Sequence, residues 1–101
     1  MLCFDGDAFR GYLYWSQDPN PLKGQTTLVL RQLFVREEFR RRGVGAALVA
    51  TWVQHFASAM ANTFGVESPT DKTRNILLKL GYLKKPDVGA TGINWYPVWS
   101  L

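Results

Sequence analysis

The segment Arg40-Arg41-Arg42-Gly43-Val44-Gly45-Ala46 joins residue types and a spacing that can do chemistry with little help from the rest of the chain. Guanidinium groups lead into two glycines, and the residues after them have helical periodicity. When a turn runs straight into a helix, the first helical amides find no carbonyl inside the helix, so they are free for an anion. Glycine lets a phosphate come close to the backbone and tolerates a positive φ. Each charge-assisted bond is worth roughly 1.5 to 3 kcal/mol, so a few amides suffice to hold a diphosphate. Other phosphate-binding turns fit badly. A dinucleotide fingerprint needs a third glycine where Leu48 stands, and a P-loop needs a Gly-Lys-Ser/Thr ending that is missing here. Taken alone, the two glycines are also compatible with an ordinary tight turn.

The formal charge of the 101-residue chain is +4, and Arg31, Arg36, Arg40, Arg41 and Arg42 fall in one short window. That window calls for a polyanionic or phosphorylated partner, which a nucleic acid satisfies as well as a phosphate-bearing cofactor. The alternative reading is a solvated basic turn partly neutralised by Glu37 and Glu38. The single cysteine, Cys3, excludes an internal disulfide and a cysteine-based metal framework, so no metal is expected, and it favours a reducing, cytoplasmic setting. No apolar stretch approaches the roughly 20 residues of a membrane-spanning helix, and a soluble protein without membrane contact is expected. His55 falls within the apolar stripe of the first helix, which favours packing over general-base work, and Cys3 has no basic neighbour in sequence to make it a nucleophile.

Apolar content of 47% with four tryptophans is ample for one core, and residues 1–101 are expected to form a single domain. Leu2 to Phe4, the Asp5-Gly6-Asp7 turn and Ala8 to Trp15 read as a hairpin. Ser16 to Gly24 carries two prolines, an asparagine and a glycine and reads as a loop. Thr26 to Val35 is long, branched and almost continuously apolar, the strongest strand in the chain. Beyond the glycine turn the apolar residues Val44, Leu48, Trp52, Phe56 and Met60 recur every four positions, which predicts a helix laid against a sheet. Thr63 to Val66 reads as a short strand. Ser68-Pro69-Thr70-Asp71 has a capping pattern with proline at the first helical position, and its helix should run to Leu80 and stop at Gly81. Ile93 to Trp99 is a last strand, which Pro97 confines to an edge. Packing explains Trp95 and Trp99 more simply than a base-stacking platform does.

The run Leu33 to Leu48 (LFVREEFRRRGVGAAL) resembles the core motif of the GNAT acetyltransferases, a strand ending in Leu-x-Val followed by Q/R-x-x-G-x-G/A. Leu78-Lys79-Leu80-Gly81-Tyr82 is similar to the helix end and Gly-aromatic step of the same family. The resemblance implies an α/β (α+β) fold with a mixed, mostly antiparallel sheet and two main helices. It implies that acetyl-CoA or coenzyme A binds with its diphosphate on the amides from Arg41 through Arg42, Gly43, Val44, Gly45 and Ala46. The pantetheine arm would bond the splayed strand at Leu33, Phe34 and Val35, and Arg40, Arg41, Lys72 or Arg74 would meet the adenosine phosphate.

The resemblance also exposes departures. The tyrosine that often protonates the leaving thiolate in this family falls at Leu77, and Arg31 and Gln32 stand where a glutamate base often serves. Glu67 is the substitute base, at the end of a strand facing the cleft in this topology. Tyr82 should pack as the family's aromatic, and its hydroxyl is the nearest substitute acid. The chain reads as a short form that begins at the family's second strand, without the first strand and the two helices that wall the acceptor side. A homodimer is expected to rebuild that wall and cover the apolar edge at Leu2 to Phe4. The expected activity is transfer of an acetyl group from acetyl-CoA to a primary amine of unidentified structure, by direct attack. The alternatives are a catalytically inactive coenzyme A-binding or regulatory domain, and a basic nucleic-acid-binding domain that lacks any recognition motif.

Overall fold

Asp5-Gly6-Asp7 reverses the chain with Gly6 at φ 60°, a conformation that suits glycine, and so joins β1 (Leu2–Asp5) to β2 (Ala8–Asn20) as a hairpin. The computed structural model describes residues 1–20, 25–60, 62–82 and 92–98. β3 (Gln25–Val35), α1 (Val44–His55), β4 (Thr63–Glu67), α2 (Asp71–Lys79) and β5 (Ile93–Pro97) are the other strands and α-helices among the described residues, with 3₁₀ turns at Glu37–Phe39 and Ala57–Ala59. The strands form one sheet in the order β1-β2-β3-β4-β5. Every pairing is antiparallel except β3 with β4, where α1 makes the crossover that a parallel pair requires. The expected order of elements and the mixed, mostly antiparallel sheet with two helices are both found.

One face of the sheet carries the helices. Leu13, Leu30, Phe64, Val66 and Tyr96 turn toward Leu48, Trp52, Val53, Leu77 and Tyr82, and all are buried in one cluster. Phe64 sits at the centre, its ring 5.5 Å from Trp52 and from Tyr96 and 5.3 Å from Tyr82. Burying each such side chain contributes roughly 1.5 to 3 kcal/mol. On β4 a Cβ at Gly65 would stand 2.7 Å from Ile93 Cγ2 and 3.0 Å from Trp95 Cζ3, so only glycine lets buried Trp95 lie across the strand.

Several sequence expectations need correction. Ser16 to Asn20 extends β2 instead of forming a loop, because long strand pairing with β3 continues through Asn20↔Gln25; residues 21–24 of that segment lie outside the described residues. The first helix ends at His55, and a 3₁₀ turn at Ala57–Ala59 changes the direction of the chain, leaving Phe56 and Met60 exposed instead of in the stripe. His55 is exposed as well and is not packed. The cap of α2 is Thr70, whose hydroxyl accepts from the Thr73 amide at 3.3 Å; Ser68 sits outside the helix at φ 40°. Trp99 lies outside the described residues.

Candidate functional site

β3 and β4 are tied together at one end only. The Thr27 hydroxyl donates to the Thr63 carbonyl at 2.6 Å, and the pairs Val29↔Gly65 and Leu30↔Val66 come next; beyond them β3 continues to Val35 without pairing to β4. The strands therefore open as a V. Leu30, Arg31, Gln32 and Leu33 on one arm face Val66, Glu67, Ser68, Pro69, Thr70 and Thr73 on the other, across a cleft of about 150 Å³.

The free arm is shaped by a β-bulge. Gln32 stands opposite Tyr14 while Leu30 stands opposite Trp15, so Arg31 is the extra residue of β3, and it lies where the V opens. A bulge interrupts the ladder and re-aims the groups beside it. Past the bulge, the Arg36 amide donates to the Arg10 carbonyl on β2 at 2.7 Å. Antiparallel alternation then turns the polar backbone of Phe34 toward β2, and that of Leu33 and Val35 toward the open edge. Gly11 agrees with this geometry, since a Cβ there would overlap the Phe34 carbonyl oxygen. Phe34 is thus a correction: its backbone belongs to the sheet. The Val35 carbonyl is also taken, by Arg40 Nε at 2.9 Å.

At the far end of β3 the chain enters the glycine turn. Arg41 (φ 65°) and Gly43 (φ 78°) are both left-handed, which folds the turn tightly, and Gly43 is the N-cap of α1. No side chain caps this helix, and among the described residues no amide from Arg41 to Ala46 meets a backbone acceptor. Gly43 is exposed, and a Cβ there would have nothing within 4 Å. Gly45 has a different task. Its Cβ would stand 3.0 Å from Ile76 Cδ1, 3.7 Å from Val35 Cγ2 and 3.8 Å from Leu33 Cδ2, so it brings α1 against α2 and β3. Val44 is buried, Ala46 half-buried, and Arg40, Arg41 and Arg42 are exposed. Arg42 lies 6.0 Å from the Phe39 ring centre, and Arg36 pairs with Glu38 at 2.8 Å. Of the two α2 cations suggested for the adenosine phosphate, Arg74 is paired with Asp71 at 2.9 Å and Lys72 is exposed.

The chemistry-bearing side chains group on the sheet face away from the helices. Arg31 Nε donates to Ser16 Oγ at 2.7 Å, and its Nη1 pairs with Glu67 Oε2 across the V. Glu67 thus faces the cleft, as expected. Ser16 went unforeseen because the turn-forming residues beside it read as a loop, and Arg31 read as part of a basic window and as the replacement of a glutamate, not as the partner of Glu67.

Tyr82 is not at the cleft, which corrects its assignment as acid. The Gly81 amide donates to Leu78 and the Tyr82 amide to Leu77, the paired bonds of a helix end with Gly81 left-handed at φ 88°. That ending drives Tyr82 into the core at 1% exposure beside Leu77, also at 1%. Burial raises the hydroxyl's pKa above the ordinary tyrosine value, and a hydrogen bond with Gln54 opposes the rise. Cys3 is a half-buried free thiol.

A strand that parts from its parallel neighbour, followed by a glycine turn and an uncapped helix, defines a family. The profile of the Acetyltransferase (GNAT) family matches residues 1–82, and the chain belongs to that family. No curated protein matches the chain. Among solved structures, PH1933 from Pyrococcus horikoshii OT3 shares the fold at TM-score 0.68 and 18% identity, over 92% of this chain and 59% of that one. An acetyltransferase from Thermus thermophilus matches at TM-score 0.66 and 22% identity, over 94% and 59%. A mutant of the toxin AtaT, bound to the C-terminus of the antitoxin AtaR and acetyl-CoA, matches at TM-score 0.62 and 25% identity, over 89% and 61%. The chain spans about three fifths of the length of these structures.

Proposed function

We propose that the chain binds an acyl-coenzyme A, acetyl-CoA in the first instance, and passes the acetyl group to a primary amine by direct attack. The observation that carries the reading is the set of amides from Arg41 to Ala46, which have no acceptor among the described residues and surround the exposed, left-handed Gly43. Such a set fits a diphosphate. The open edge of β3 offers Leu33 and the Val35 amide to an extended polar arm, and the V leads that arm toward the outer face. The acetyl-CoA bound to AtaT supports the choice of ligand.

A lysine-like amine has a pKa of about 10.4 and arrives protonated, so a base must take its proton before the lone pair attacks. Glu67 is our assignment. Its Oε2 is held by Arg31, which leaves Oε1 to accept. Attack forms the C–N bond, the C–S bond breaks, and the second amine proton leaves to solvent. A thiolate of pKa about 8.5 departs tolerably near neutral pH, so protonation from water replaces the missing side-chain acid at a cost in rate. We assign this work to one domain, in a cytoplasmic setting, and expect two copies to associate over the β1 edge, where Leu2 and Phe4 are 64% and 53% exposed.

Calorimetric titration with acetyl-CoA tests the binding. Saturable heat at micromolar ligand is expected, and none at millimolar ligand overturns it. Leu77 and Tyr82, both shut in the core, favour one second reading: a coenzyme A binder without transfer. Thiol release from acetyl-CoA on adding amines decides between the two. Because Arg31, Arg36, Arg40, Arg42 and Arg74 each have an intramolecular contact, the nucleic-acid alternative gains nothing from the structure.

A further inference from the structure

We propose that the outer mouth of the cleft selects an amine with a flat apolar body, an aromatic ring on a short alkyl chain, and seats that ring on Tyr14 beside Tyr12 and Phe34. The inference rests on the acyl-transfer reading and names the acceptor class of the same site.

On the sheet face away from the helices, Tyr12 stands opposite Phe34 and Tyr14 opposite Gln32. The Tyr12 and Phe34 rings lie 5.4 Å apart, and Phe9 continues the row at 6.5 Å from Tyr12. Tyr14 is 58% exposed. Gln32 and Phe34 belong to the arm of β3 that walls the cleft, so the rings flank the opening on the β2 side, and Glu67 stands on the other side.

Charge narrows the choice of acceptor. The charged side chains lining the cleft among the described residues are Arg31 and Glu67, and they are bonded to each other. Among the described residues no second carboxylate lines the cleft to meet the further cations of a polyamine, and an acidic acceptor would compete with Glu67 for Arg31. A lone ammonium meets Glu67, and its apolar body gains by covering rings that otherwise face water. Tyr14 precedes Ser16 by two residues on the same face of β2, and Arg31 bonds both Ser16 and Glu67, so about one guanidinium's reach and one step along a strand separate the ring from the carboxylate, which suits an arylalkylamine.

The test uses 2-phenylethylamine, n-propylamine and spermidine, with binding followed by NMR on the protein with and without acetyl-CoA, and turnover by thiol release. We expect kcat/KM for 2-phenylethylamine about tenfold or more above n-propylamine, because the ring fills an apolar seat that propylamine leaves empty. Tyr14→Ser should erase that advantage and keep acetyl-CoA affinity. Equal or better use of n-propylamine or spermidine overturns the proposal, as does Tyr14→Ser with the preference intact. Phenylethylamine binding lost in Tyr14→Ser, with no thiol released by any amine, supports the seat and removes acyl transfer. No phenylethylamine binding in either state of the protein removes the seat, whatever acetyl-CoA does. A dimer that Tyr14→Ser dissociates, with no change in amine preference, overturns it in favour of a second copy on this face.

Discussion

The glycine turn and the mouth of the cleft stand at opposite ends of β3's free arm and are made of different materials. At the turn the working groups are amides supplied by one short run of chain, so identity matters only where a side chain would intrude or a left-handed φ is needed. At the mouth they are side chains from three strands, Ser16 on β2, Arg31 on β3 and Glu67 on β4, brought together by a bulge and by the point where two strands part. A backbone site can be read from local sequence. A side-chain site depends on register, which no local pattern records.

The largest effect that would sharpen this contrast belongs to Glu67→Gln. The substitution keeps size and polarity while removing the base, so kcat for amine acetylation should fall about 10²- to 10⁴-fold with acetyl-CoA affinity unchanged. Steady-state thiol release and calorimetry separate the two. A rate within about threefold of the parent would mean that the mouth supplies no proton acceptor and that proximity alone drives the reaction.

Next in size is Gly45→Leu. The new side chain runs into Ile76, with Val35 and Leu33 behind it, and should cost about 3 kcal/mol by overpacking. Urea denaturation measures this, and Ile76→Ala in the same chain should restore part of it, since the two sites touch. Gly43→Val is smaller and of another kind. Nothing crowds a Cβ there, but a left-handed φ costs a branched residue roughly 1 to 2 kcal/mol, and the side chain stands over the free amides. Loss of one charge-assisted bond is worth about tenfold or more in acetyl-CoA affinity. If Gly43→Val binds like the parent while Gly45→Leu merely unfolds, the motif is a packing device and the turn holds no phosphate.

This division also explains what could be read in the sequence. β3, both helices and the final edge strand arise from periodicity, glycine and proline, because each is set by its own residues. The end of α2 was legible too, since Gly81 closes it. The extension of β2 through Asn20 was hidden by turn-forming residues that the long pairing with β3 overrides. The early stop of α1 was hidden because Phe56 and Met60 keep the apolar spacing after the backbone has left the helix. Glu67 reached the cleft because strand order puts it there. Its bond to Arg31 depends on a one-residue bulge that nothing local announces.

The smallest effect concerns Tyr82, a group drawn away from the mouth into the core. Burial lifts its hydroxyl above the usual tyrosine value near 10, so the unfolded chain releases that proton at lower pH than the folded one. The stability tied to the neutral hydroxyl is therefore whole below about pH 10 and is lost as pH rises toward the folded value. Tyr82→Phe should lose about 1 kcal/mol near neutrality with the bond to Gln54, yet escape the alkaline decline. Denaturation midpoints from pH 8 to 11 should then converge. Parallel curves would show the hydroxyl in contact with water, which would restore Tyr82 as a candidate acid and weaken the case that the acid is missing from the cleft.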